Sequence, residues 1–146
     1  MRYFFPIALC LFAASCMPSE QARARYEAAF FGHQGSFVVP AESIVDVWRR
    51  YYDLLCQGGL ADCIDRDLSM LTGSEVSRFY IPVDLGTQEV TLQSWIQEDS
   101  VLFLFEFITT DDEDPSWKHK KQRDARPVIS ELAFHMQTGL TIEDFE

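Results

Sequence analysis

Basic residues are scarce in this chain. Its 146 residues include 12 lysines and arginines against 23 aspartates and glutamates, which gives a formal net charge of −11. Nucleic acids and anionic membrane surfaces attract basic proteins, so this balance argues against direct electrostatic binding to either one. An acidic excess of this kind either keeps a protein soluble or complements a basic protein partner.

Recognisable catalytic motifs are also missing. The three histidines, His33, His119 and His135, lie far apart in the chain. There is no HExxH pair, no GxSxG nucleophile motif and no glycine-rich phosphate loop. We therefore favour a protein without enzymatic activity, although an enzyme is retained as the alternative. We predict neither a cofactor nor a metal site.

The longest uninterrupted apolar run is short and lies at the start of the chain. One base, Arg2, precedes apolar residues over positions 4–14. This run is well below the roughly 20 residues that cross a bilayer, and it matches the apolar core of a secretory signal peptide. It ends in Ala-Ala-Ser-Cys over residues 13–16, where small side chains are typical of a cleavage site.

This segment resembles the signal peptide of bacterial lipoproteins, which are cut before a lipidated cysteine. The resemblance implies a signal peptide over residues 1–15, acyl chains of the palmitate type on Cys16, and a lipidated N-terminus and tether over residues 16–35. Because Met17 rather than an aspartate follows the cysteine, it also implies an outer-membrane protein facing the periplasm. Plain secretion and an uncleaved N-terminal helix are the alternatives.

The two cysteines of the mature domain are Cys56 and Cys63, with Gly58-Gly59 between them. The glycines allow the chain to turn back, and the periplasm is oxidising, so we predict a disulfide between them. A redox-active pair would need closer spacing, and zinc would need additional ligands nearby.

Helical periodicity is clear after Pro40. Apolar residues recur at intervals of three and four over residues 41–56, which predicts a helix that ends at the glycines, and a shorter helix is expected over residues 61–71. Strand patterns follow, and an earlier one precedes the first helix. The predicted strands are residues 36–39, 79–81, 90–96 and 101–108.

The order of these elements predicts an α+β fold. We expect one domain over residues 36–146, with an N-terminal helical hairpin packed on a mostly antiparallel, curved sheet. Residues 101–108 are apolar on both faces except at Glu106, which predicts a central strand covered on both sides. Glu106 is then buried, unless it reaches water near the end of the strand.

A polar segment over residues 111–126 separates this strand from the C-terminal part and is predicted to be a loop. Residues 128–146 fit two patterns. The preferred one is a hairpin of strands 128–136 and 140–145. The alternative is a helix with Pro127 in its first turn and Gly139 as its stop, in which Glu131 and His135 lie one turn apart as an acid–base or metal-binding pair.

Three functional interpretations remain, of which the preferred one is given last. The order of elements and the aromatic-rich sheet resemble the NTF2-like cone fold, which implies a small-ligand-binding protein or enzyme with an aromatic cavity. In that case Tyr52, Asp53 and Glu106 are candidate groups inside the cone. A purely structural envelope protein without a dedicated ligand is a further possibility.

The preferred interpretation is a non-catalytic protein-binding module. A small acidic, lipid-anchored, disulfide-linked domain is similar in format to immunity lipoproteins and to lysozyme-inhibitor lipoproteins. That similarity implies a basic protein partner, such as a cell-wall-degrading enzyme, whose encounter opposite charge would accelerate. Asp111, Asp112, Asp114 and Trp117 are the expected contact residues, because carboxylates attract a basic surface and tryptophan is a frequent interface anchor.

Overall fold

The computed structural model describes residues 19–58, 74–110 and 112–140. This part of the chain forms three α-helices and four strands. None of these helices is both long and apolar enough to cross a membrane. The elements are α1 (Ser19–Gly32), β1 (Ser36–Pro40), α2 (Ile44–Gly58) preceded by a 3₁₀ turn (Ala41–Ser43), β2 (Ser74–Val83), β3 (Gly86–Gln97), β4 (Ser100–Ile108) and α3 (Pro115–Thr138).

The four strands form one antiparallel sheet in the order β1-β4-β3-β2. The α+β class and the central position of β4 are therefore confirmed. β2 extends well beyond the predicted residues 79–81. Its first half presents Glu75 and Ser77 on the same face as Phe79, so that half lacks the apolar alternation by which a strand is recognised.

The core lies between one face of the sheet, here called the inner face, and the helices. Side chains on the inner face are aromatic or aliphatic and almost fully buried, as with Phe79 and Phe103, each 0% exposed. α2 and α3 supply the opposing layer. The buried residues of α2 are Val47, Trp48, Tyr51 and Leu55.

Two hydrogen bonds fix α2 on the sheet. The indole Nε1 of Trp48 donates to the hydroxyl of Ser94 in β3 at 3.2 Å, and the hydroxyl of Tyr51 donates to that of Ser77 in β2 at 2.8 Å. Burial raises the pKa of Tyr51 well above its ordinary value, so this hydroxyl stays neutral and keeps its proton to donate. A buried polar group without a partner is costly, and these bonds therefore select one position of α2.

α1 packs against the rest of the domain, whereas residues 16–35 were expected to form a tether, of which residues 16–18 lie outside the described residues. Phe30 is only 4% exposed, and the ring of Tyr26 meets that of Phe134 in α3 at 5.2 Å between centroids. The chain then reverses at Gly35, whose φ of 70° and close approach to the Phe105 carbonyl favour glycine.

The C-terminal hairpin and the 111–126 loop are both wrong predictions. A single helix, α3, runs from Pro115 to Thr138 and continues through Pro127, and the helical alternative for residues 128–138 is confirmed. Gly139 ends the helix with φ 76° and an N–H bond to the carbonyl of His135. Its buried stripe consists of Ala125, Ile129, Ser130, Leu132, Ala133 and Met136.

Packing explains why α3 tolerates an internal proline. Pro127 lacks an N–H group and normally costs a helix about 3 kcal/mol. Its side chain is exposed, while Ala125 and Ile129 on either side of it are 0% and 1% exposed in the core. Burying the stripe offsets the missing hydrogen bond, as tertiary contacts commonly override local propensity.

Part of the predicted helical hairpin lies outside the described residues. Its first helix is α2, but residues 61–71 and Cys63 fall in the undescribed range 59–73. Cys56 is half-buried in the last turns of α2. The disulfide between Cys56 and Cys63 therefore stays a prediction.

The contrast between two tryptophans tests this core. We expect Trp48→Ala to lower the free energy of unfolding by about 3–5 kcal/mol, because it empties the contact between α2 and the sheet. Trp48→Phe should cost about 1–3 kcal/mol, since Ser94 loses its buried donor. The control, Trp117→Ala, replaces a residue that is 54% exposed and should change stability by less than about 0.5 kcal/mol in urea unfolding. Equal effects at Trp48 and Trp117 would contradict the described packing.

Candidate partner-binding surface

The residues expected to contact a partner lie at the start of α3, as far as the structure describes them. Trp117 is 54% exposed in the first turn, and Asp112 is exposed just before the helix. Asp111 lies outside the described residues. An exposed indole beside a carboxylate is compatible with the expected contact.

Asp114 has a structural role that the sequence analysis did not assign. Its carboxylate accepts hydrogen bonds from the backbone N–H of Ser116 at 2.8 Å and from the Ser116 hydroxyl at 2.6 Å. It is the N-cap of α3, with Pro115 as the next residue. The Ser116 bonds lower the pKa of Asp114. The Asp-Pro-Ser sequence was the local signal for this helix start.

Lysines neutralise most of the remaining acids near the start of α3. Lys121 Nζ lies 2.5 Å from the carboxylate of Glu113, with both side chains largely buried. Lys120 Nζ lies 3.0 Å from Asp124 and 3.5 Å from Asp84, the latter in the turn between β2 and β3. These contacts cancel much of the negative field that a basic partner would sense at this end.

A second candidate surface lies on the sheet, and the sequence analysis did not identify it. In residues 19–58, 74–110 and 112–140, the helices pack on the inner face of the sheet, and no described element packs on its outer face. Several apolar side chains of that outer face are well exposed. They are Val76 at 61%, Val38 at 57%, Tyr80 at 48% and Ile108 at 37%.

Strand register places Val38 and Val76 near three further apolar residues of the outer face. Val38 of β1 pairs with Leu102 of β4, which pairs with Trp95 of β3. Two residues further along the sheet, Gln93 of β3 pairs with Leu104 of β4 on one side and with Val76 of β2 on the other. Trp95, Leu102 and Leu104 are half-buried. This set of five apolar residues is called the outer-face cluster below.

Polar residues occupy the rest of the outer face. Arg78 Nε lies 2.9 Å from the carboxylate of Glu89. Glu106 is exposed and accepts a hydrogen bond from the amide of Gln93 at 3.2 Å. Of the two alternatives left open for Glu106, exposure to water near the end of the strand is the one observed, because no described layer covers its face of β4.

The groups considered for catalysis do not form a site in the described part of the chain. Glu131 and His135 lie one turn apart on α3, but Glu131 pairs with Arg23 at 3.1 Å and His135 Nδ1 lies 3.2 Å from the Leu140 carbonyl. Asp53 is exposed on α2, and Tyr52 stacks on Trp48. Within this part of the chain, no cluster of three or more His, Cys, Asp or Glu side chains is arranged to hold a metal ion.

Aromatic rings from α2 and the sheet contact one another in the core. Tyr51 meets Phe79 at 5.7 Å between ring centroids, and Trp48 meets Phe103 at the same distance. Phe37 stacks on Phe103 at 5.1 Å. These contacts place the described aromatic residues against one another between α2 and the sheet.

No protein family, curated protein or solved structure shows a match to this chain.

The cap at Asp114 predicts acid-dependent helix stability. Because its folded-state pKa is lowered, its stabilising contribution is present above the ordinary aspartate value of 3.8 and is lost as the pH falls through the lowered value. Asp114→Ala should lower the melting temperature at pH 7, and the deficit should shrink towards pH 2.

Asp114→Asn is the matched control, since asparagine also caps helices and does not titrate. It should melt close to the native protein at pH 7. Circular dichroism melts across this pH range check the expectation, and a pH-independent deficit for Asp114→Ala would contradict it.

Proposed function

We propose that this protein is an exported, lipid-anchored, non-catalytic binding module that captures another protein in the periplasm. The single observation that carries the proposal is the outer face of the sheet, where apolar side chains form a contiguous cluster without a described layer over them. Exposed apolar patches framed by polar residues are typical of protein-binding surfaces.

The chemistry of the outer face favours recognition over catalysis. Its centre combines a tryptophan with aliphatic side chains on a hydrogen-bonded sheet, so little conformational freedom is lost when a partner covers it. Tryptophan at the centre of a patch is a frequent source of binding energy. An immunity protein or an inhibitor of a cell-wall-degrading enzyme is the kind of activity that this format supports.

The position of α1 sets how the module would be held at the membrane. Only Met17 and Pro18 separate the proposed lipidation site, Cys16, from the first residue of α1. Even fully extended, this stretch spans roughly 10 Å. Lipid on Cys16 would therefore keep the domain close to the outer membrane, and its acidic surface would repel anionic lipid headgroups.

Replacing Cys16 tests the anchor. We expect the native protein to incorporate a labelled palmitate analogue and to fractionate with membranes, because several acyl chains give stable anchoring. Cys16→Ala should lose the label and the membrane association. Cys10→Ala, which changes a residue within the proposed signal peptide, should keep both. A native protein that stays unlabelled would remove the lipoprotein assignment while leaving the binding function to be tested separately.

Site-specific photo-crosslinking tests the binding function. A photoreactive amino acid at Val38 or Val76 lies on the outer face, whereas one at Asp46 lies on α2, at a side chain that is also well exposed. In cells of the source organism, Val38 and Val76 should yield the same discrete adduct, and Asp46 should not. The binding proposal fails if no adduct forms, or if all three positions give the same products.

A further inference from the structure

Charge is divided unequally between the two layers of the domain. The sheet layer is defined here as the described strands, the turns joining β2 to β3 and β3 to β4, and residues 109–110. It contains one base, Arg78, and six acids. The helical parts, residues 19–35, 41–58 and 112–140, contain ten acids and nine bases. The helical layer is therefore almost neutral, and the sheet layer accounts for most of the net negative charge of the described residues. The six acids are Glu75, Asp84, Glu89, Glu98, Asp99 and Glu106.

Several of these carboxylates surround the outer-face cluster. Glu106 and Glu89 lie on the outer face itself, on the side of the cluster towards Ile108. Glu98 and Asp99 are exposed in the turn at the opposite end, next to the pair formed by Gln97 and Ser100. Among the described strands, Arg78 is the only base on that face, and it is paired with Glu89 at 2.9 Å.

We infer that the outer face binds a basic protein surface that presents an apolar side chain surrounded by lysine or arginine. This inference rests on the proposed function and adds the binding site and the chemistry of the partner. The apolar group would cover Trp95, Leu102 and Leu104, and its basic neighbours would reach the carboxylates at both ends of the cluster. An apolar centre with a charged rim is the usual anatomy of such interfaces.

Electrostatics argues against the other occupants. Two copies of this chain meeting through their outer faces would bring like-charged rims together, which costs energy. An anionic lipid surface would be repelled by the same carboxylates. The start of α3 is a weaker candidate, since lysines there already neutralise Glu113, Asp84 and Asp124.

Three synthetic helical peptides of equal length serve as probes. One carries a leucine stripe with lysines on the flanking positions, the second replaces the lysines by glutamate, and the third keeps the lysines but replaces the leucines by glutamine. We expect the leucine–lysine peptide alone to bind the folded mature protein and to shift backbone amide resonances of β1, β3 and β4. Its affinity should fall as salt rises.

Charge-matched variants locate the interaction. Glu98→Gln with Glu106→Gln removes two rim carboxylates, and Glu20→Gln with Glu42→Gln removes two exposed acids of the helical layer. The first pair should raise the dissociation constant about fivefold at low salt, as expected for the loss of two exposed charge contacts. The second pair should change it less than about twofold. Val76→Ser with Val38→Ser should also weaken binding, with the melting temperature of each variant showing that it is folded.

The inference is overturned if the glutamine–lysine or leucine–glutamate peptide binds as well as the leucine–lysine peptide, or if both charge variants weaken binding equally. A dimer in sedimentation experiments that Val76→Ser with Val38→Ser dissociates would also overturn it, because a second copy would then occupy the face. If the peptides fail while photo-crosslinking at Val76 still gives a discrete adduct, the binding function stands and only the basic character of the partner is refuted.

Discussion

The packing of α2 on one face of the sheet is the constraint on which the rest of the structure depends. Trp48 and Tyr51 bury their rings against Phe103 and Phe79, and each donates its one polar hydrogen to a serine of the sheet. Apolar burial supplies the driving force, and the need to satisfy these polar groups restricts the position of the helix. α3 packs beside α2, and α1 packs on α3, so all the described helices belong to one layer.

The described helices cover the inner face of the sheet and leave its outer face uncovered by any described element. β4 shows the consequence, because Phe103 and Phe105 point into the core while Leu102 and Leu104 lie only half-buried on the outer face. Within the described residues, acids also far outnumber bases in the sheet layer, whereas the helical parts contain nearly equal numbers of the two. Exposed apolar side chains and negative charge therefore coincide on one surface, which supports a binding role for this face.

Prediction from sequence worked where one side of an element is buried and failed where burial is interrupted. β1, β3, β4 and α2 have regular apolar periods, and the sequence analysis found all four. The first half of α3 was missed, and its second half was only the alternative to a hairpin, because its first ten residues bury nothing, its bases resemble a solvated loop, and Pro127 suggests a break. The signals at its two ends, the Asp114 cap with Pro115 and the glycine at position 139, were present in the sequence but were outweighed. The outer-face cluster was missed because strands apolar on both sides usually predict cover on both sides.

Local residue order alone determined the α+β class, the antiparallel pairing of neighbouring strands and the acidic character of the domain, because these depend on period, turn residues and composition. Only the tertiary structure decided that residues 115–138 form one helix, that Glu106 faces outward, and that Lys120 lies beside Asp84 in the turn between β2 and β3. Each of these depends on contacts between residues distant in the chain or on which face of the sheet the helices cover. A linear pattern records that a residue is apolar or charged, but the assembled layers decide what it faces.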